Sequence, residues 1–407
     1  MLVRHTFAWS IFISILKLVC GLLILAILSR GEVGVLSLYG ELQNGVALAV
    51  AFMGLSANNG ITNAVAQSPT HAQTDILAKA RSIIIVGTTL YCGIGVLGLR
   101  PAIVIPGLDR ISTEIYMLTL GFCCVLHNFY RSYLVACGRI IFSSVLDLFR
   151  SIFLLAAAFL FIVGIFETFT LAFGVSTFAL IIFIRFTKEG LLKKPLLNFD
   201  SGTRLIARAG FATAFSGVIF ALQSLALRDM AIKNGGTALA DDWELVLRLM
   251  IMFQLIVGVT ASQILIKRYA LVTPADVFMD VKKCILPIVT IFFLLMLVPT
   301  IFLSGFMELA FGRIVDDLKF LWVLILGSEM MKLVGLFFHS YLVARTKVFP
   351  QMIFEGTMQA ILFASVFLLI GGDFLKSYSM ALCVSALVWL LLNFLFMVYL
   401  SRGEKVV

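Results

Sequence analysis

Apolar runs long enough to cross a membrane follow one another along almost the whole 407-residue chain. Charged residues, Gly or Pro bound each run, and the twelve runs lie at about 7–28, 34–57, 77–98, 114–136, 142–165, 168–187, 205–227, 242–266, 284–304, 319–344, 350–370 and 377–400. A spanning helix uses about 20 apolar residues, whereas a membrane β-strand uses about ten in alternation with polar ones. The runs are continuous, so the sequence predicts an all-α polytopic membrane protein with twelve transmembrane helices and no β-barrel.

The composition supports this class. Hydrophobic residues make up 61% of the chain and charged residues only 13%, whereas an ordinary soluble domain has about 25% charged residues. A soluble enzyme and a nucleic-acid binder are therefore excluded. The seven cysteines form no C-x-x-C motif and the four histidines are scattered, so we expect no metal site. The sequence has no nucleotide-binding Gly-rich loop and no large outside loop, so we expect no cofactor and no enzymatic activity.

The net charge of +9 follows the distribution of Lys and Arg over the predicted loops. With the N-terminus inside, 18 of the 31 Lys and Arg residues lie in inside loops, 8 in outside loops and 5 within spans. Cytoplasmic loops carry such an excess, so both termini are predicted to be cytoplasmic. The first run is too long for a signal peptide and is not followed by a cleavage site, so we interpret it as a permanent span.

A short internal repeat suggests that the chain arose by duplication. The sequence of 132–136, Ser-Tyr-Leu-Val-Ala, recurs at 340–344, an offset of 208 residues. The same register aligns Arg131 with His339 and Asp147 with Glu355. We therefore predict two lobes of six helices, at 1–190 and 205–407, joined by a basic cytoplasmic linker at 191–204. In parallel-repeat secondary transporters the substrate site lies between the halves, near the midplane.

Nine ionisable residues lie inside the predicted spans: Lys17, Glu41, Arg131, Asp147, Arg150, Arg248, Glu329, Lys332 and Glu355. Each would cost about 2.5–3.5 kcal/mol at the centre of a lipid-facing helix. They must therefore face a water-filled cavity or one another. By sequence depth, Lys17, Arg150, Glu329 and Lys332 lie near mid-span, whereas Arg131, Asp147 and Glu355 lie nearer the cytoplasmic ends.

The cations in this set are the candidates for binding an anionic substrate. Lys17, Arg131, Arg150, Arg248 and Lys332 are the predicted substrate-binding cations, together with Asn59 and Asn63 in the polar end of the second span. Glu41, Asp147, Glu329 and Glu355 are the candidates for proton or sodium coupling. The alternative for each charge is a structural ion pair, and Glu329 with Lys332 and Glu244 with Arg248 have the spacing for one. Arg131 and Glu355 could instead extend to the cytoplasmic surface.

Several of these stretches resemble a known family. The stretch 54–67, which contains Asn58, Asn59 and Asn63, resembles the second-helix signature of Wzx-type flippases for O-antigen and enterobacterial common antigen units. The stretch 329–359 is similar to their tenth and eleventh helices, and Lys17 with the following 21–23 resembles their first helix. The chain departs from the pattern at Asn63, where a basic residue is common in the family.

The resemblance implies a fold, a mechanism and a substrate. The fold is the MATE-like one of the multidrug/oligosaccharidyl-lipid/polysaccharide (MOP) exporters, with two six-helix lobes, a central cavity and alternating access. The substrate is an undecaprenyl-pyrophosphate-linked oligosaccharide, carried across the bacterial inner membrane towards the periplasm for lipopolysaccharide and related polysaccharide biosynthesis. Membrane lipids, a polysaccharide polymerase and a chain-length regulator are the implied partners.

Three other functions are compatible with such a chain. The first is a cation-coupled multidrug exporter of the same fold, which a net positive midplane disfavours. The second is the lipid II branch of the flippases, which usually has two additional C-terminal helices. The third is an oligosaccharide polymerase or ligase, an enzyme class that usually carries a large outside loop.

Overall fold

The computed structural model describes residues 2–55, 60–62, 64, 73–97, 105, 108–186, 201–254, 265, 268–269, 272–283, 286, 290, 305, 308, 311–312, 318–345, 347–369 and 373–403. All regular structure within these residues is helical. The principal helices are α1 (Leu2–Ser29), α2 (Val35–Gly54), α3 (Gln73–Val96), α4 (Arg110–Ala136), α5 (Ile140–Ile162), α6 (Phe169–Phe186), α7 (Ser201–Gln254), α8 (Leu318–Ala344), α9 (Val348–Leu369) and α10 (Phe374–Gly403). The predicted all-α class is confirmed.

Seven helical segments of the described chain are long and apolar enough to cross a membrane. Two shorter apolar segments lie in α3 and α6. The long α7 covers two predicted spans, and the predicted span at 284–304 lies mostly outside the described residues. The observed helices are therefore consistent with twelve spans.

The region between the predicted spans at 205–227 and 242–266 contains no long loop. Two helical arms of α7 meet there at a break of two residues, Gly235 and Gly236, whose backbone is not helical. Gly236 has a φ of 73° and a ψ of −169°, a combination that essentially only glycine adopts. Hydropathy marks where a helix leaves the membrane, not where it ends, so the polar turns of α7 were not recognised as helix.

The chain divides into two compact units, Met1–Ala226 and Leu227–Val407. The predicted linker at 191–204 lies largely outside the described residues, and the predicted lobe boundaries stay a prediction. In the first unit, α1 packs on α5, α5 on α6, and α2 on both α3 and α4. Part of its core is built around Met53, Ile83, Val125 and Phe129, all of them buried.

In the second unit, α10 packs against both α8 and α9. Its core contains Phe337, Phe338, Tyr341 and Trp389, and the helix at 274–283 joins it through Phe278, whose ring centroid is 5.6 Å from that of Phe338. These buried aromatic residues fix the face of α8 that meets its neighbours. The same helix carries the charged residues of the second unit that the sequence analysis identified.

The local structure supports the internal repeat. α4 ends at Ala136 and α8 at Ala344, 208 positions apart, and α5 and α9 begin at Ile140 and Val348, which are also 208 positions apart. The turns that follow α4 and α8 use the same hydrogen bond, from Arg139 N to Leu134 O at 2.8 Å and from Lys347 N to Leu342 O at 2.9 Å. The register found from five identical residues therefore extends over two helices and the turn between them.

Candidate functional site

Asp147 is the centre of a charged cluster in the first unit. Lys17 Nζ donates a hydrogen bond to Asp147 Oδ2 at 2.9 Å, and Arg131 Nε lies 2.9 Å from the same oxygen. His127 Nε2 is 3.5 Å from the other carboxylate oxygen. One carboxylate thus joins cations from α1 and α4 to α5, although Lys17 is 130 positions away in sequence.

The packing of three helices explains why these side chains meet. α1 and α4 both contact α5, which carries Asp147. His127 and Arg131 are four residues apart and therefore share one face of α4. The Arg131–Asp147 contact is an ion pair at short distance without a well-directed Nε hydrogen bond, so it constrains the guanidinium less than a bidentate pair would.

Arg150 is the cation of this cluster that lacks a carboxylate partner within the described part of the chain. It lies one turn after Asp147 on α5, and its Nη2 atom is 3.7 Å from Cys124 Sγ. A thiol is a weak acceptor and does not neutralise a guanidinium. A partly buried guanidinium in the middle of a spanning helix is costly unless an anion compensates it.

The cluster has an excess of positive charge. Lys17, Arg131 and Arg150 oppose the single carboxylate of Asp147, which gives a net charge of +2 before any charge on His127. The cluster is also open to its surroundings, because 18% of the Lys17 side chain and 23% of the Arg131 side chain are exposed. The charge of this cluster therefore favours an anion over a cation.

The charged residues of the second unit form separate pairs. Lys332 Nζ donates to Glu329 Oε1 at 2.9 Å, and Arg248 Nε donates to Glu244 Oε1. Both pairs were predicted from their spacing, and both are confirmed. Each cation is therefore neutralised by a carboxylate on its own helix, unlike Arg150.

A third pair in the second unit joins two helices. His339 Nε2 on α8 is 3.4 Å from Glu355 Oε1 on α9, and both side chains are only partly exposed. The imidazole also packs on the ring of Trp389 from α10, with the ring centroids 5.4 Å apart. This pair is the counterpart of Arg131 and Asp147 in the repeat.

The structure separates the predicted site residues into groups. Lys17, Arg131, Asp147 and Arg150 come together, although sequence depth placed Lys17 in a different layer from Arg131 and Asp147; the depths themselves stay a prediction. Long Lys and Arg side chains bridge more than one helical turn, so Cα depth is a poor guide to charge contacts. Glu41 is buried in α2, at 7% exposure, and Asn59 and Asn63 lie outside the described residues.

One member of the cluster was not among the predicted site residues. His127 is 1% exposed and faces Asp147. The sequence signal that could have identified His127 is its spacing of four residues from Arg131, which places both side chains on one face of a helix. Without the position of α5, that spacing does not show which carboxylate the histidine meets.

No protein-family model matches the chain, and no curated protein is similar to it in sequence. Solved structures do match. An outward-facing multidrug resistance MATE family transporter of the MOP superfamily is 13% identical with a TM-score of 0.70, and the match covers 99% of this chain and 96% of that one. A MATE in its straight conformation is 13% identical with a TM-score of 0.69, and the match covers 99% of this chain and 96% of that one.

A third similar structure is a MOP superfamily transporter from Pyrococcus furiosus, described as having a binding pocket of reverse polarity that suggests a different function. It is 13% identical with a TM-score of 0.70, and the match covers 98% of this chain and 96% of that one. The chain therefore has the fold of the MATE transporters of the MOP superfamily. It is a multi-pass membrane protein, and the proteins that share its fold are transporters.

Proposed function

We propose that this chain is a flippase that moves an undecaprenyl-pyrophosphate-linked oligosaccharide from the cytoplasmic to the periplasmic leaflet by alternating access. The observation that supports this proposal is the Asp147 cluster, with its net charge of +2 and an Arg150 guanidinium that no described carboxylate neutralises. A pyrophosphate diester carries two negative charges, and guanidinium groups bind phosphate oxygens through paired N–H donors.

The sign of the charge distinguishes this function from cationic drug export. A cationic drug would be repelled by the excess positive charge, whereas a pyrophosphate would compensate it. The reverse polarity described for the Pyrococcus furiosus transporter supports using the charge of the site, rather than the fold alone, to infer the cargo. The sugars and the lipid tail would contribute binding energy elsewhere.

The membrane potential would assist transport in this direction. The cytoplasm is negative, and moving one elementary charge across the membrane is worth about 2.3 kcal/mol per 100 mV. Moving two negative charges outward would gain about 4.6 kcal/mol per 100 mV. We further propose that the protein works in the bacterial inner membrane with a polysaccharide polymerase and a chain-length regulator that use the flipped product.

The test is flipping of a labelled undecaprenyl-pyrophosphate oligosaccharide in proteoliposomes that contain the full chain. We expect Arg150→Gln to reduce the initial rate at least tenfold, because it removes the unneutralised cation. Arg150→Lys should retain part of the rate, since it keeps the charge and loses the planar fork. The control is Arg110→Gln, which removes an exposed arginine at the beginning of α4 and should leave the rate unchanged.

Two results would contradict the proposal. One is normal flipping by Arg150→Gln protein that is folded and monodisperse in detergent. The other is the absence of flipping by the unmodified chain together with export of a cationic dye such as ethidium, which would favour the multidrug exporter. Deletion of the gene should also cause completed lipid-linked units to accumulate on the cytoplasmic face, and the unmodified gene should reverse this.

A further inference from the structure

The repeat places two different kinds of ion pair at equivalent positions. In the first unit Arg131 on α4 meets Asp147 on α5, with 2.9 Å between Nε and Oδ2. In the second unit His339 on α8 meets Glu355 on α9, with 3.4 Å between Nε2 and Oε1. Both pairs join the helices on either side of the repeated turn. A guanidinium is always charged, whereas an imidazole changes its charge near neutral pH.

The contacts of His339 place one ring nitrogen against an anion. Nε2 lies 3.4 Å from Oε1 of Glu355, so a proton on Nε2 would face the carboxylate. Nδ1 is buried and has no hydrogen-bond partner among the described residues. The pair as a whole is partly exposed, at 17% for His339 and 18% for Glu355.

We propose that the His339–Glu355 pair is a proton-binding site of this transporter. The inference goes beyond the proposed function, because it concerns the coupling ion and holds for whichever anion is carried. With the proton bound, the pair becomes a full ion pair like Arg131–Asp147 and attracts α8 to α9. Without it, that attraction is lost in the second unit, whereas the permanently charged pair of the first unit keeps α4 on α5.

Few other charges lie near His339 among the residues that the structure describes. Glu355 is the only charged residue on α9, and α10 contributes the uncharged Trp389. On α8, Lys332 is seven residues away, about 10 Å along the helix, and it is paired with Glu329. Glu355 is therefore the nearest anion that the described contacts provide to a protonated His339.

On the neighbouring described segments, Asp280 and Arg345 have partners other than His339. The helix at 274–283 packs on α8 through Phe278, and its Asp280 is paired with Arg268 at 2.6 Å. Arg345, which directly follows the end of α8, donates a hydrogen bond to the carbonyl of Val272 at 2.6 Å. Cys383 on α10 is six residues from Trp389, about 9 Å along the helix. Among the described contacts, Glu355 is thus the charged group that faces His339.

Trp389 provides a direct readout of this protonation. The full chain is prepared with its other three tryptophans, Trp9, Trp243 and Trp322, replaced by phenylalanine, and Trp389 emission is recorded from pH 8.5 to pH 4.5. An imidazolium in contact with an excited indole quenches its emission, so we expect a single quenching transition on acidification. His339→Gln should abolish the transition. Glu355→Gln should move its midpoint to lower pH, because the imidazolium loses the anion that stabilises it.

The control in the same background is His5→Gln, which removes another histidine and should leave the transition unchanged. Emission that does not change with pH, or that changes equally in the His339→Gln protein, would overturn the proposal. The measurement needs no substrate. A wrong assignment of the cargo would therefore leave the transition intact, and the two proposals fail separately.

A transport measurement tests the proposal independently. It uses a variant in which the pair of the second unit is made permanently charged, like the pair of the first unit. His339→Arg replaces the titratable pair by a permanently charged one, as in Arg131–Asp147. Flipping by the unmodified chain should accelerate when the pH gradient across the proteoliposome membrane is acidic on the periplasmic side, and this acceleration should be lost in His339→Arg. An acceleration of equal size in His339→Arg and in the unmodified chain would contradict a coupling role for the pair.

Discussion

Asp147 shows how a single carboxylate can hold several helices of a membrane protein together. It meets Lys17 from α1 and Arg131 from α4, and only 11% of its side chain is exposed. Removing one member of a buried charge network leaves its partners uncompensated. We therefore expect Asp147→Asn to lower the thermal unfolding temperature in detergent, because Lys17 and Arg131 then lack their shared anion.

A double-mutant cycle with Lys17→Gln separates this effect from a change in shape. The double variant should be more stable than the sum of the two single losses predicts, by a coupling energy of about 0.5–3 kcal/mol. Strict additivity, measured by unfolding of all four proteins in the same detergent, would show that the Lys17–Asp147 contact does not contribute to stability.

The residues differ in how far sequence alone could assign their contacts. Glu329–Lys332 and Glu244–Arg248 could be predicted because each pair lies within one helical turn. The Lys17–Asp147 contact could not, since it depends on how α1 packs against α5. The pairing of His339 with Glu355 can be predicted only once the contact between Arg131 and Asp147 is known. The repeat aligns the two pairs of residues, so a contact in one unit predicts the equivalent contact in the other.

At the level of helices, close approach at Gly87 determines how α3 packs on α2. A Cβ atom added at Gly87 would lie 2.3 Å from the carbonyl oxygen of Met53 and 2.6 Å from that of Phe52. Both are backbone atoms, so α2 itself would have to move. We expect Gly87→Ala to destabilise the protein by about 1–3 kcal/mol, as overpacking does. Thermal unfolding in detergent is the measurement.

Gly93 is the matched control, because it lies on the same helix and a Cβ there would meet no atom within 4 Å. Gly93→Ala should be neutral or stabilise the protein by up to about 1 kcal/mol, since alanine favours helix. Equal losses in the two variants would mean that the effect is not caused by the contact between α3 and α2.

Helix ends were predicted less well than helix cores, for an identifiable reason. α4 begins at Arg110, whereas the apolar run begins at 114, because Asp109 caps the helix by accepting a hydrogen bond from Ser112 N at 2.9 Å. The hydrogen bonds donated by the Ser112 hydroxyl and N–H also hold the pKa of Asp109 below its usual range. Capping turns of this kind are polar, so they lie outside any hydropathy-based boundary.

For the whole molecule, the repeat and the fold are consistent with each other. Equivalent helices α4 and α8 end at equivalent positions and have the same relation to the following helix. The α4–α5 and α8–α9 hairpins share one register, whereas their charged residues differ. The first unit has an excess of cations around Asp147, and the second has paired charges and a histidine. The two copies therefore retain one architecture and offer different chemistry.

The 18 to 8 distribution of Lys and Arg predicts the orientation in the membrane, and reporter fusions can test it. Three predicted spans separate the turn at Gly138 from the turn at Gly235 and Gly236, so the two turns must lie on opposite sides. Alkaline phosphatase requires an oxidising compartment to form its disulfides. We expect it to be active when fused after Asn234 and inactive when fused after Cys137. A fluorescent protein at the C-terminus should be bright, because the C-terminus is predicted to be cytoplasmic. The opposite pattern would invert the topology and, with it, the direction in which the membrane potential acts on an anionic cargo.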